Sequence, residues 1–234
     1  RPATSSRSCS RSTRPLNALP GDEEAPSVGE MTSRIVALCI DALDPPALAR
    51  FWAGVLGREL FVDDDGIPTI LSPDALAADG VGYPISFPRT NTPKTGPNQM
   101  HFDLTSGSLK EQEEAVARAL ALGARHLDVG QGPEDEHVVL ADPEGNELCV
   151  IEPGNNFLEG CGPIGALSCD GSQQTGYFWS AALGWPLVWD QDEETAIQSP
   201  RGGTKISWGG PPFAAKTGKY RWHLDLAPPA GEDH

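Results

Sequence analysis

The sequence predicts an α+β protein built from repeated β-α-β-β-β units. Two observations carry this: an internal repeat and a recurring order of hydrophobic periods. Ala37-Leu38-Cys39-Ile40-Asp41 returns as Ala166-Leu167-Ser168-Cys169-Asp170, and Ile85-Ser86 returns as Ile206-Ser207. Phe51-Trp52 with Leu56-Gly57 returns as Phe178-Trp179 with Leu183-Gly184. Lys94-Thr95-Gly96 followed by His101-x-Asp103-Leu104 returns as Lys216-Thr217-Gly218 followed by His223-x-Asp225-Leu226. One order and nearly one spacing mean duplication of a folded unit, with a period too long for a solenoid.

Each element has a local reason. Residues 34–41 are apolar and partly β-branched, which suits a strand. Asp44-Pro45 reads as a helix N-cap with proline in the first turn. Leu48, Phe51, Trp52, Val55 and Leu56 then fall on one helical face, and Gly57 supplies the C-terminal stop. Residues 60–62 and 68–71 read as a hairpin around Asp64-Asp65-Gly66, and 83–87 as a further strand. The same order follows in a second unit: a strand at 99–105, a helix opened by the Ser108–Glu111 capping box, then strands at 125–129, 137–141 and 147–152. Leu109, Val116 and Leu120 are expected on that helix's buried face, with Gly123 closing it. Residues 155–162 read as a Gly/Asn linker, 163–210 repeat the first unit, and 220–226 repeat the opening strand of the second.

The expected organisation is a disordered tail or spurious upstream segment over 1–33, a complete domain over 34–153, a linker over 154–162 and a partial second domain over 163–234. An incomplete second domain leaves strand edges to be covered, so a homodimer through that open domain is an expected association. The tail is rich in Arg and Ser and has no apolar h-region, so it does not read as a secretory signal.

The net charge of −16 argues against a nucleic-acid partner, because an acidic surface repels phosphate. No apolar run approaches the ~18 residues that span a bilayer, so no membrane partner is expected. The five cysteines are odd in number and lack any CxxC spacing, which excludes a zinc ribbon and points to a reducing, cytoplasmic setting.

Several motifs together resemble the vicinal oxygen chelate superfamily of glyoxalase-like, bleomycin-resistance-like and dioxygenase-like proteins. They are Asp44-Pro45 before Leu48-Ala49-x-Phe51-Trp52, Leu56-Gly57, Leu122-Gly123-Ala124, and Asp142-Pro143-Glu144-Gly145-Asn146-Glu147 before the last strand. The resemblance implies units that curl into cupped mixed sheets. It also implies a divalent metal held by side chains from the first and last strands of two facing units. On this sequence only His101 fits such a position. Residues near Ile35 and among Ile85, Ser86 and Phe87 offer no imidazole or carboxylate, and the last-strand position falls on Cys149. No cofactor is therefore expected; a divalent metal is disfavoured, and any metal would centre on His101.

His101 with Asp103 is the leading site candidate, because strand alternation puts both on one face and the pair recurs as His223 with Asp225. The alternative is a hydrogen-bonded structural pair. Cys149 is a candidate ligand-binding thiol or a buried structural one. Trp208 and Trp222 are candidates for an aromatic cup wall, although sheet-to-helix packing accounts for them as well. The expected function is binding of a small, partly aromatic molecule in the cup without the usual metal site. The alternative is a lyase, isomerase or dioxygenase-like enzyme with His101 as its catalytic group.

Overall fold

The computed structural model describes residues 32–71, 83–132, 134–213 and 218–228. Residues 1–31 of the expected 1–33 tail, Lys216-Thr217 and residues 229–234 lie outside the described residues. The first unit is β1 (Arg34–Ile40), α1 (Pro45–Leu56), β2 (Leu60–Val62), β3 (Pro68–Ile70) and β4 (Ile85–Ser86). The second is β5 (Met100–Leu104), α2 (Leu109–Ala121), β6 (Arg125–His126), β7 (Val138–Ala141) and β8 (Glu147–Val150). The third is β9 (Ile164–Cys169), α3 (Gln173–Leu183), β10 (Leu187–Gln191), β11 (Glu194–Ile197) and β12 (Lys205–Trp208), and β13 (Trp222–Ala227) opens a fourth. No helix among the described residues is long and apolar enough to cross a membrane.

The predicted caps explain where the helices begin and end. The Asp44 carboxylate accepts from the Ala47 amide at the start of α1, and Gly57 ends it at φ 63°. Ser108 accepts from the Glu111 amide at the start of α2, while the Glu111 carboxylate reaches back to the Gly107 amide. Leu109 differs from expectation: it is 65% exposed, because it stands in the first turn, beyond the sheet. The buried polar residue on α2 is Gln112, whose amide donates to the carbonyls of Glu136 and Val150 and so satisfies groups the strands leave open. The 155–162 segment carries a 3₁₀ turn, Asn156–Leu158, with Leu158 buried.

The strands form two mixed sheets, ordered β13-β1-β4-β3-β2 and β10-β11-β12-β9-β5-β8-β7-β6. First strands meet antiparallel in both, β5 on β9 and β1 on β13. Strand pairing thus joins the second unit to the third and the first to the opening strand of the fourth. Chain order alone groups units one and two. Repeated units carry alike edges, so the sequence does not choose which edge meets which. Among the described residues β13 lies at the margin of its sheet.

Both sheets share one core. Leu38 and Ile40 of β1, Phe102 and Leu104 of β5, Leu148 and Val150 of β8, and Leu167 of β9 all point into it. Trp52 of α1 sits at its centre, with its ring 5.4 Å from Phe102 and 6.0 Å from Trp222, both edge-on. Edge-to-face pairs of this kind add roughly 0.5–1.5 kcal/mol each beyond area burial. The opposite faces of the first strands are left free to build a site.

Candidate functional site

On β5 alternation sends Phe102 and Leu104 to the core and His101 and Asp103 to the other face. His101 stands across from Ser168 on β9, and Asp103 across from Ala166 on β9 and Cys149 on β8. The His101 Nε2 lies 3.3 Å from Asp103 Oδ1. Ser168 Oγ donates to Asp103 Oδ2 at 2.6 Å and shares a 3.2 Å hydrogen bond with Ser207 Oγ of β12. Ligand-type atoms of His101, Asp103 and Cys149 all lie within 4.8 Å of one another.

Burial alone would depress the His101 pKa. The adjoining Cys149 and the Asp103 carboxylate outweigh it and hold His101 well above its ordinary value. Burial pushes the Cys149 thiol up, and the adjoining His101 pulls against that rise. The sign of the linkage follows for His101. Its stabilising pair with Asp103 is fully present below the unfolded pKa of about 6.5 and is lost as pH rises through the higher folded value. In urea unfolding, His101→Gln is therefore expected to lose stability against wild type near pH ~6, with the gap narrowing steadily at alkaline pH. A gap that does not change with pH would mean the pair is not charged.

A cleft of about 280 Å³ opens at the same end of the sheet, lined by Gln99, Asp170, Ser172, Thr175, Phe213 and Tyr220. The Asp170 amide donates to the Gln99 carbonyl, continuing the β5–β9 ladder past the Met100–Cys169 pair. By alternation Gln99 and Asp170 share the face of His101 and Ser168. Burial raises the Asp170 carboxyl, and the His101 charge pulls against that rise. The cleft and the His101 cluster are therefore electrostatically connected.

The fourth-unit strand repeats the arrangement against β1. His223 stands across from Cys39, and Asp225 across from Ala37. Cys39 Sγ donates to Asp225 Oδ2 at 3.2 Å, and His223 Nε2 lies 3.6 Å from Asp225 Oδ1. Burial, and then Asp225, push the Cys39 thiol up to about 12.

The two tryptophan candidates do not line this face. Trp208 and Trp222 are both buried in the core, on the side of their strands opposite Ser207 and His223. Trp208 packs under α3, where the N-terminal Gly171 leaves room for its ring. Sequence reading missed Ser168, Ser207 and Asp170 as site residues. Their signal was present in the repeat itself, which aligns Ser168 with Cys39 and Ser207 with Ser86. Lys94 and Glu147 form a 2.6 Å ion pair, and Glu147 also accepts from the Asn98 amide, so this part of the loop is tied to the turn before β8.

The metal implied by the resemblance needs donors from two facing units. The unit facing the second is the third, and its first and last strands bring Ala166, Ser168 and Ser207 to this face. None is an imidazole or a carboxylate. The gathered donors His101, Asp103 and Cys149 come from the second unit, the third adds the Asp170 carboxylate beyond the end of β9, and both Asp103 oxygens already have protein neighbours. The third unit's strand positions at this face therefore differ in residue type from the imidazole and carboxylate set that the resemblance implies.

The glyoxalase-like domain model matches residues 37–151 and 166–234. Glyoxalase I from Zea mays has a similar fold at a TM-score of 0.54 and 11% identity, covering 85% of this chain and 74% of that one. Its V278E mutant gives a TM-score of 0.54 at 11% identity, covering 86% of this chain and 75% of that one. A Bacillus subtilis protein named as a dioxygenase gives a TM-score of 0.51 at 18% identity, covering 80% of this chain and 66% of that one. No curated protein matches by sequence. With the repeated β-α-β-β-β units and the two sequence segments matched, the chain belongs to the glyoxalase-like domain family.

Proposed function

We propose that the face shared by the second and third units binds a small organic molecule through a hydrogen-bonding oxygen, with His101 as the donor. The carrying observation is the polar string from Ser207 through Ser168 and Asp103 to His101, in electrostatic contact with the cleft at Asp170. A protonated imidazole held by a carboxylate presents a positive donor to a carbonyl, carboxylate or phenolate oxygen. Phe213 and Tyr220 line the cleft and offer apolar contact to a ring. The aromatic contribution assigned to Trp208 and Trp222 thus passes to these two residues.

A second reading has its own observation. Ligand-type atoms of Cys149 and His101 lie within 4.8 Å of each other, so two ionisable groups border one ligand position. In that reading His101 is the acid of a lyase, isomerase or dioxygenase-like reaction.

A thermal-shift screen of small aromatic and dicarbonyl compounds tests both. The binding reading expects stoichiometric stabilisation by a compound that is recovered unchanged. His101→Gln should weaken that compound by roughly tenfold, the cost of a charge-assisted hydrogen bond. Turnover that stops in His101→Gln would move the assignment to the enzyme. A compound that binds wild type and variant equally would remove His101 from the site.

A further inference from the structure

We infer that the outer edge of β2 is a docking surface for an extended, positively charged peptide segment, taken up as an added strand. The edge belongs to the five-stranded sheet, while His101 stands on β5 of the eight-stranded one. This surface is independent of what the His101 face binds.

A comparison of the strands at the sheet margins carries the inference. Among the described residues these are β13, β2, β10 and β6. A marginal strand exposes unpaired amides and carbonyls, and proteins blunt such edges with charge, proline or a slip of register. β6 is only Arg125-His126, and the Arg125 guanidinium turns back to the Asp142 carbonyl. β10 follows Pro186, slips register between Leu187 and Trp189, and carries Asp190 along its length. β13 holds His223 and Asp225 in mid-strand. β2 has none of these devices. Leu60-Phe61-Val62 contains no charge and no proline, and it pairs with β3 in unbroken register. Leu60, Phe61 and Val62 are all exposed, Val62 to 63%.

The bonding pattern says which backbone groups face outward. The Asp63 amide donates to the Ile67 carbonyl, and the Leu71 amide donates to the Glu59 carbonyl, so residues 59 and 63 turn toward β3. Alternation along an antiparallel strand turns Leu60 and Val62 the other way, with the amide and carbonyl of each directed off the sheet. An incoming strand takes its main-chain bonds from these groups and its contacts from the apolar side chains.

Charge selects the occupant. Glu59 stands at one end of the edge, and Asp63, Asp64 and Asp65 stand at the other. A segment with Lys or Arg on both sides of an apolar centre meets an acid at each end. The edge is short, so this attraction adds what few main-chain bonds cannot supply. A second copy of the same edge fits poorly. Two-fold pairing centred on Phe61 sets Asp63 opposite Glu59 twice, and like charges directly opposite oppose pairing. From Arg58 to Asp65 each copy has four acids against one base, so Arg58 does not offset them.

The probe is a labelled synthetic peptide, acetyl-Lys-Arg-Val-Thr-Val-Arg-Lys-amide, titrated with the full chain at low ionic strength and followed by fluorescence anisotropy. The expected result is saturation at one peptide per chain. A counterpart with Glu in place of Lys and Arg should bind at least roughly tenfold more weakly. The basic peptide N-methylated at its central residues keeps its charge and side chains but loses its donors, and it too should bind at least roughly tenfold more weakly. Val62→Lys gives β2 the charge that the other margins carry, at an exposed position, and should weaken the basic peptide by a similar factor. No saturable binding of the basic peptide would overturn the proposal. So would equal binding of the N-methylated peptide, which would mean attraction to an acidic protein without strand addition, or unchanged affinity in Val62→Lys. Dimerisation of wild type in sedimentation that Val62→Lys abolishes would give the edge to a second copy and overturn it as well. Should Val62→Lys fail to fold by circular dichroism, the N-methylated peptide decides on wild type.

Discussion

Replacing Asp142 with alanine is expected to cost about 3–5 kcal/mol of stability, enough to unfold a marginal domain at body temperature. Asp142 is fully buried in the turn between β7 and β8. Its Oδ1 accepts from the amides of Glu144 and Asn146 at 2.9 and 2.8 Å, and its Oδ2 from Asn146 Nδ2 and Trp52 Nε1 at 2.7 and 3.1 Å. Burial pushes its carboxyl up to about 6, against the pull of these four donors. Alanine would strand buried donors in the turn and on the indole. The indole bond matters most for the architecture, because it pins the first unit's helix to the second unit's turn. Urea unfolding of Asp142→Ala checks the figure. A loss below about 1 kcal/mol would mean that Trp52 packing alone holds the two units together.

Gly176→Ala is the second large effect. Alanine normally favours a helix over glycine by about 1 kcal/mol, so an exposed site would gain stability. Here a Cβ would stand 2.0 Å from Thr195 Oγ1, 2.6 Å from Thr195 Cβ and 3.1 Å from the Trp208 ring. The helix must lift from the sheet, and overpacking of this kind costs roughly 1–3 kcal/mol. Thr195 is buried, and its hydroxyl has no hydrogen-bond partner among the described residues, so little is lost by removing it. Thr195→Ala in the same chain is therefore expected to recover most of the loss, which a double-mutant cycle by thermal unfolding would measure. Equal destabilisation with and without Thr195→Ala would mean that the helix, not its contact with β11, is what the methyl disturbs.

Much of the local structure was legible because it is encoded locally. Asp44, Ser108 and Gly57 mark helix ends by hydrogen bonds and a left-handed conformation that only neighbouring residues set. The period-two alternation of His101, Phe102, Asp103 and Leu104 is visible without any fold. Partner choice between strands was not legible, because β1 and β9 present nearly the same residues to whatever pairs with them. The side of each tryptophan was left open between cup wall and core packing for a related reason. Alternation says that Trp208 and Ser207 face opposite ways, but not which way is the core. The bulk of the ring and the close approach of α3 at Gly171 and Gly176 decide it. The repeat aligns Ser168 with Cys39, but a lone serine in a strand is commonplace; it gains meaning only once β5 pairs with β9 and its hydroxyl reaches Asp103.

The pairing of β1 with β13 has a consequence for synthesis on the ribosome. The bond between Ser168 and Asp103 closes over 65 positions, whereas that between Cys39 and Asp225 closes over 186. Domains fold as they emerge, and contacts between distant segments wait for the later one. The eight-stranded sheet has all its strands once Trp208 has left the exit tunnel. Until Trp222–Ala227 arrives, β1 has β4 on one side and a bare edge on the other, and Trp52 lacks the Trp222 ring that packs edge-on against it. The strand β1 is thus made early and paired on its second edge late, so that edge is the stretch a chaperone would have to cover in the meantime.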